Sequence, residues 1–177
     1  MTNLSIVADN ITARTNAQSA QQRAENMYLL GVKKVLELCV GPSLCVLEKE
    51  YSKYGITCYG NDIDSRWKRY YPAGKWIIGD CFSIDYSEFD GVVFAPPLSK
   101  GCTGKREDSL SIMDVRPRYV DFLNLNISKT MCLVLPGRAM ATKRDRDQFY
   151  KLISKVQQYQ LVPLTKNGVT KYWDLYI

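Results

Sequence analysis

Small or apolar residues fall at Ala13, Ala17, Ala20, Ala24 and Met27. This three-and-four spacing predicts an amphipathic helix that ends near Gly31. The period then changes. Lys34–Val40 is a short apolar run closed by Gly41-Pro42-Ser43, the pattern of a buried strand feeding a turn. Leu44, Leu47, Tyr51 and Tyr54 line one helical face up to Gly55, and Ile56–Gly60 reads as a second strand. A short helix at Ser65–Tyr71 leads to a strand at Lys75–Gly79, and Phe89–Phe94 makes a fourth strand that stops at Ala95-Pro96-Pro97. A helix over Val115–Ser128, a strand at Met131–Leu135 and a helix marked by Phe149, Leu152, Ile153, Val156 and Tyr159 follow. Leu161–Leu164 and Lys171–Ile177 flank Asn167-Gly168, a hairpin signal that makes the last two strands antiparallel.

Strands alternating with helices through short links predict an α/β chain, because each crossover helix must pack back on a parallel sheet. The expected architecture is a doubly wound, mostly parallel sheet of seven strands with an antiparallel C-terminal hairpin, in a single domain over 1–177, with 1–31 as a helical extension. Ligands of such sheets bind outside the carboxyl ends of the strands. The residues after each strand are therefore the ones to read for chemistry.

After the first strand, Gly41 permits close backbone approach, and the next helix offers unpaired N–H groups to an anion. Neither the GxGxxG dinucleotide pattern nor the GxxxxGK[ST] phosphate loop is present there. After the second strand, Asn61-Asp62-Ile63-Asp64 puts a carboxylate about 20 residues past the first turn, where an acid reaches ribose hydroxyls. The competing role for Asp62 or Asp64 is a helix cap. After the third strand, Gly79-Asp80-Cys81-Phe82 supplies another acid beside apolar neighbours, a surface against which an adenine ring fits. Ala95-Pro96-Pro97 after the fourth is a rigid turn, since consecutive prolines suit neither helix nor central strand.

These four strand ends, in this order, resemble the class I S-adenosylmethionine-dependent methyltransferases, over nearly the whole chain. The resemblance implies a Rossmann-like methyltransferase fold with S-adenosyl-L-methionine as cofactor and no metal. It implies cofactor contacts from Glu37, Cys39 and Gly41 in the first turn, from Asp62 and Ile63 in the second, and from Asp80 and Cys81 in the third. Cys39 and Ser43 stand where the family usually has Gly. Ala95-Pro96-Pro97-Leu98 resembles the Asp/Asn/Ser-Pro-Pro-aromatic motif of amino-methyltransferases and would be the catalytic segment. The motif is degenerate, because Ala95 has no side-chain acceptor and Leu98 no aromatic ring to stack on a base.

Composition narrows the chemistry. The chain has 24 Lys+Arg against 18 Asp+Glu, a net charge of +6, and no His. A Ser-His-Asp triad, a Cys-His dyad and zinc sites with His ligands are excluded. The positive balance favours an anionic partner such as nucleic acid. Lys100, Lys105 and Arg106, in the Gly-containing loop Ser99–Asp108, are candidate substrate contacts, with Cys102 a weaker candidate nucleophile. Arg66, Lys68, Arg69, Arg116, Arg118, Lys143, Arg144 and Arg146 are candidate rim charges, Tyr70, Tyr71 and Tyr119 candidate stacking surfaces, and Arg14 and Asn16 candidate cofactor covers. Six cysteines without CxxC spacing read as reduced thiols, and with no secretory pattern at the N-terminus and no apolar run near 20 residues a soluble cytoplasmic protein is expected, not a membrane one. A partner subunit for target recognition is expected if DNA is read selectively, since 177 residues leave little room for a recognition domain. The functional expectation is methyl transfer to an amine nitrogen of RNA or DNA. The alternatives are a catalytically degenerate nucleic-acid-binding or partner-activating protein on the same fold, and a small-molecule or protein methyltransferase.

Overall fold

The first helix buries its small side chains Ala20 and Ala24 completely. In the computed structural model, which describes residues 17–70, 74–96, 112–125, 127, 129–166 and 169–177, α1 covers Ala17–Leu29 and buries Ala20, Arg23, Ala24 and Met27. Gly31, at φ 79°, ends it in the left-handed conformation that glycine adopts without penalty. Strand β1 (Lys34–Leu38), a 3-10 turn at Gly41–Ser43, α2 (Leu44–Ser52), β2 (Thr57–Asp62), a 3-10 segment Ser65–Tyr70 and β3 (Trp76–Ile78) follow, then a 3-10 turn Cys81–Ser83 and β4 (Gly91–Phe94). After these come α3 (Ile112–Leu123), β5 (Thr130–Pro136), α4 (Lys143–Leu152), β6 (Gln160–Lys166) and β7 (Val169–Tyr176).

The seven strands form a sheet in the order β3-β2-β1-β4-β5-β7-β6. It is a mostly parallel sheet with an antiparallel C-terminal hairpin, as the alternation of elements predicts. By its internal contacts the chain divides into two compact units, Met1–Val92 and Val93–Ile177.

In the first unit, β1 pairs in parallel with β2, and β2 with β3, so that Glu37, Gly60 and Trp76 share one level. Leu36, Leu38, Leu44 and Leu47 are buried to 1 % exposure or less, each contributing about 1.5–3 kcal/mol relative to an exposed position. Gly60 is required by this packing: a Cβ there would lie 2.6 Å from Leu44 Cδ2 and 2.9 Å from Val40 Cγ1. Asp90 ties the approach to β4 onto β1, its Oδ2 accepting from Lys33 N at 3.1 Å and Lys34 N at 3.0 Å.

In the second unit, β7 pairs antiparallel with both β5 and β6. Pro163 is tolerated in β6 because that strand is the sheet's edge. Phe94 stacks on Phe122 of α3 at 4.4 Å between centroids, and Tyr119 donates from its hydroxyl to Val134 O at 2.6 Å.

Several expected boundaries move. Helix α3, described over Ile112–Leu123, ends at Leu123, where the expected helix was Val115–Ser128. Its C-terminal limit follows burial, since Phe122 is buried and Asn124 and Leu125 are exposed. The last helix ends at Leu152, not near Tyr159, and begins with a capping box in which Thr142 Oγ1 accepts from Asp145 N at 3.1 Å. Tyr159 sits outside the helix, yet packs edge-on against Phe149 at 6.0 Å, which explains why it fits the apolar pattern. Strand β2 runs on to Asp62, two residues past its expected end. The Asn167-Gly168 turn lies outside the described residues, and the strands on either side pair as expected.

Candidate functional site

Asp62 is the last residue of β2, and strand geometry puts it level with the turns that leave β1 and β3. Its Oδ2 accepts from Gly41 N at 2.9 Å and its Oδ1 from Asp64 N at 2.9 Å. Gly79 N donates to its carbonyl oxygen at 3.2 Å. One half-buried acid thus holds the first and third turns in place. A carboxylate has about four lone-pair directions, so these two bonds leave each oxygen able to accept another donor.

The first turn is built by unusual backbone. Cys39 has φ 55° and Gly41 φ 49°. For Cys39 the left-handed conformation costs about 1–2 kcal/mol relative to an ordinary one, and such strain is characteristic of ligand sites. The turn keeps a glycine's shape where the sequence has cysteine. Ser43 N closes it by donating to Val40 O at 3.0 Å.

Glu37 is placed differently from what a ligand contact in the open would need. It is 1 % exposed, its Oε1 accepts from the Tyr51 hydroxyl at 2.7 Å, and its Oε2 lies 3.5 Å from Arg23 Nη1. Burial, followed by the Glu37 charge, pushes the Tyr51 hydroxyl well above its ordinary range. This buried triad anchors β1 to α1 and α2 two residues before Cys39.

The third turn carries Asp80 and Cys81. Asp80 is exposed and caps the Cys81–Ser83 turn, with Oδ1 accepting from Phe82 N at 3.0 Å. Hydrogen bonding from the Cys39 side chain holds the pKa of the Cys81 thiol below its ordinary value. Tyr86, which the sequence reading missed, donates its hydroxyl to Cys81 O. Asn61, next to Asp62, is buried and donates through Nδ2 to Ile77 O at 3.1 Å and Gly79 O at 3.0 Å. An Asn directly before an acid at the end of a strand is the sequence signal for such a brace.

Two apolar side chains here are exposed: Ile63 at 76 % and Phe82 at 39 %. Asp62 directly precedes Ile63, and Asp80 stands two residues before Phe82. The arrangement offers carboxylate acceptors for hydroxyl or amine donors and uncovered apolar faces for a ring. It therefore suits a ligand that joins a polyhydroxylated sugar to an aromatic base.

Among the other expected residues, Ala95 and Pro96 follow β4 and are described with the second unit. Pro97, Leu98, Lys100, Cys102, Lys105 and Arg106 lie outside the described residues, as do Arg14, Asn16 and Tyr71. Tyr119 is not a stacking surface, because it is fully buried and its hydroxyl is spent on Val134 O. Arg66 is engaged by Asp64, its Nη2 lying 2.6 Å from Oδ2, and this bond holds the Asp64 carboxyl below its usual range. Lys143, Arg144 and Arg146 are exposed at the start of α4. No helix among the described residues is long and apolar enough to cross a membrane.

Solved structures share this fold. An O-methyltransferase from Bacillus cereus in complex with SAH superposes with a TM-score of 0.62 at 10% identity, covering 98% of this chain and 86% of that one. The O-methyltransferase TomG from Streptomyces achromogenes, in complex with SAM, gives 0.60 at 11% identity over 100% and 89%. The E. cuniculi Mtq2–Trm112 complex, responsible for methylation of the eRF1 translation termination factor, gives 0.54 at 18% identity over 92% and 95%. No family model matches the sequence, and no curated protein matches it. At these identities the likeness establishes the fold, a Rossmann-like methyltransferase fold.

Proposed function

We propose that the chain is an S-adenosylmethionine-dependent methyltransferase whose cofactor lies across the turns after β1, β2 and β3. The observation that carries this reading is the Asp62 clasp: an acid at the end of β2 holds the Gly41 turn and keeps acceptor capacity for ribose hydroxyls. Asp62 is assigned to the ribose, Ile63 and Cys81 to the faces of the adenine, and Asp80 to its exocyclic amine through the oxygen not spent on Phe82 N. The backbone of Cys39–Gly41 is assigned to the methionine end, with Glu37 acting from below through the buried anchor of β1. When bound, the cofactor supplies a sulfonium methyl group for in-line displacement, a reaction in which orientation provides much of the acceleration.

The acceptor proposed is an amine nitrogen of RNA or DNA, presented at Ala95-Pro96-Pro97-Leu98 and gripped by Lys100, Lys105 and Arg106. Two observations support an anionic acceptor: the net charge of +6, and the placing of Lys143, Arg144 and Arg146 at the start of α4. The positive end of a helix disfavours cations by about 0.3–1 kcal/mol each, so three in the first turn are unfavourable for the helix alone. A partner subunit would supply target selection.

The test is transfer of a tritiated methyl group from the cofactor to RNA, single-stranded DNA and duplex DNA, each at 50 and 200 mM salt. Nucleic-acid methylation that falls steeply with salt is expected, because each phosphate contact releases counterions. Ala95 favours a second reading, a non-catalytic nucleic-acid binder on the same fold, because it gives a substrate amine no side-chain acceptor. Salt-sensitive binding of nucleic acid without transfer would support that reading. Transfer to small molecules or proteins, with no salt dependence, would replace the nucleic-acid acceptor.

A further inference from the structure

We propose that the outer face of α4, with Tyr150 and Tyr159 as its stacking surfaces, is a docking platform for single-stranded nucleic acid. The platform deepens the nucleic-acid reading above and rests on it, but not on the cofactor site.

All of its residues belong to the second unit. From the start of α4 into the segment before β6, residues 143–159 carry five cations, Lys143, Arg144, Arg146, Lys151 and Lys155, against two carboxylates, a net of +3 within the +6 of the whole chain. All five cations are exposed, but only one of the two acids is. Asp145 is 6 % exposed and is held in the capping box, its Oδ2 accepting from Thr142 Oγ1 at 2.7 Å and Thr142 N at 3.3 Å. Asp147 is the one carboxylate left facing outward. Lys143, Arg146, Asp147, Tyr150 and Lys151 follow one another at intervals of three and four, which sets them on one side of the helix, opposite the buried Asp145, Phe149 and Leu152. Arg146 is fixed there by donating from Nη1 to Met140 O at 3.2 Å, and a carbonyl leaves its charge uncancelled. The helix itself does not account for the cations, since its positive N-terminal end opposes Lys143 and Arg144.

The aromatic part is anchored. Tyr150 is 54 % and Tyr159 46 % exposed, yet both rings pack edge-to-face with the buried Phe149, at 5.6 Å and 6.0 Å between centroids and interplanar angles of 65° and 76°. A ring already held by such a contact gives up little freedom when a base stacks on its uncovered part. A strand with unpaired bases matches both features at once, its phosphates meeting the cations and its bases the tyrosines. A duplex keeps its base faces stacked inside, and an acidic polypeptide brings the charge without the flat faces.

The experiment follows, by fluorescence anisotropy with the full chain, the binding of labelled oligouridylate and oligothymidylate of about 12 nucleotides, within the usual site size. A duplex of the same length and polyglutamate as competitor complete the set. One or both single strands should bind more tightly than the duplex. Tyr150→Ala should weaken that binding about fivefold or more, the lower end of what stacking on an aromatic ring is worth, while Tyr150→Phe keeps it within about twofold. Arg144→Gln combined with Lys151→Gln should make the dependence of log affinity on log salt shallower by about 0.7 for each charge removed. Folded Tyr150→Ala and Tyr159→Ala that both bind like the native chain, or an unchanged salt slope in the charge variant, overturn the platform and leave the nucleic-acid reading standing. A duplex bound as tightly as the single strands, or polyglutamate that displaces them at equal charge, overturns the single-strand assignment. Binding of no nucleic acid overturns the platform and the nucleic-acid reading together, while the cofactor reading stands on its own titration.

Discussion

Asp62 Oδ2 accepts a hydrogen bond from Gly41 N at 2.9 Å across 21 residues of sequence. That contact turns three separate strand ends into one cradle, because the same residue also receives Gly79 N on its carbonyl.

The cradle depends on Gly60 having no side chain. A methyl group there would enter Leu44 and Val40, which flank the Gly41 turn. Gly60→Ala is expected to destabilise the protein by about 1–3 kcal/mol, the usual cost of overpacking, and to weaken S-adenosylmethionine binding at the same time. Urea unfolding and calorimetric titration of the variant check both effects.

Arg23 and Glu37 form an ion pair with side chains only 2% exposed. Removing one partner of such a pair costs about 3–5 kcal/mol, whereas replacing both is often nearly neutral. Arg23→Met alone and Glu37→Leu alone should each be strongly destabilising. The double variant should recover most of the loss, short of what Tyr51 loses with its acceptor, as read from urea midpoints.

Cys39 sits at φ 55°. Glycine adopts this conformation without the penalty an L side chain meets, so Cys39→Gly should be more stable than Cys39→Ala by about 1 kcal/mol. Equal stability in thermal unfolding would mean that the backbone at 39 is not left-handed in solution.

Hydrogen bonding from the Cys39 side chain lowers the pKa of the Cys81 thiol. A lowered value means that the thiolate forms at lower pH than in an ordinary cysteine. Alkylation of Cys81 by iodoacetamide, followed peptide by peptide, should therefore rise with an inflection below the ordinary thiol value of about 8.5, and Cys39→Ala should move the inflection up. The linked stability has the same sign: it is fully present above the unfolded thiol's value and is lost as pH falls through the folded one.

The sheet was legible because apolar runs such as those of β4 and β5 alternate with helices, and that alternation leaves few topologies. Boundaries were less so. Tyr159 keeps the helical apolar phase of Phe149 although the helix stops at Leu152, because a side chain beyond the helix can pack on the same face. In the site, Asp62 stood out through its distance from the first turn and its position after a strand. The buried setting of Glu37 was hidden, since its partners Arg23 and Tyr51 lie on two different helices and no local pattern connects them. The influence of Cys39 on Cys81 was hidden for the same reason, the two standing 42 positions apart.

Calorimetric titration of the reduced protein and of Asp62→Ala with S-adenosylmethionine and S-adenosylhomocysteine tests the central claim most directly. The account predicts binding of both ligands by the native chain. It predicts a loss of about tenfold or more in the variant, the worth of a hydrogen bond to a charged group at 1.5–3 kcal/mol. Failure of the folded native protein to bind either ligand, or an unchanged affinity in a folded Asp62→Ala, would contradict it.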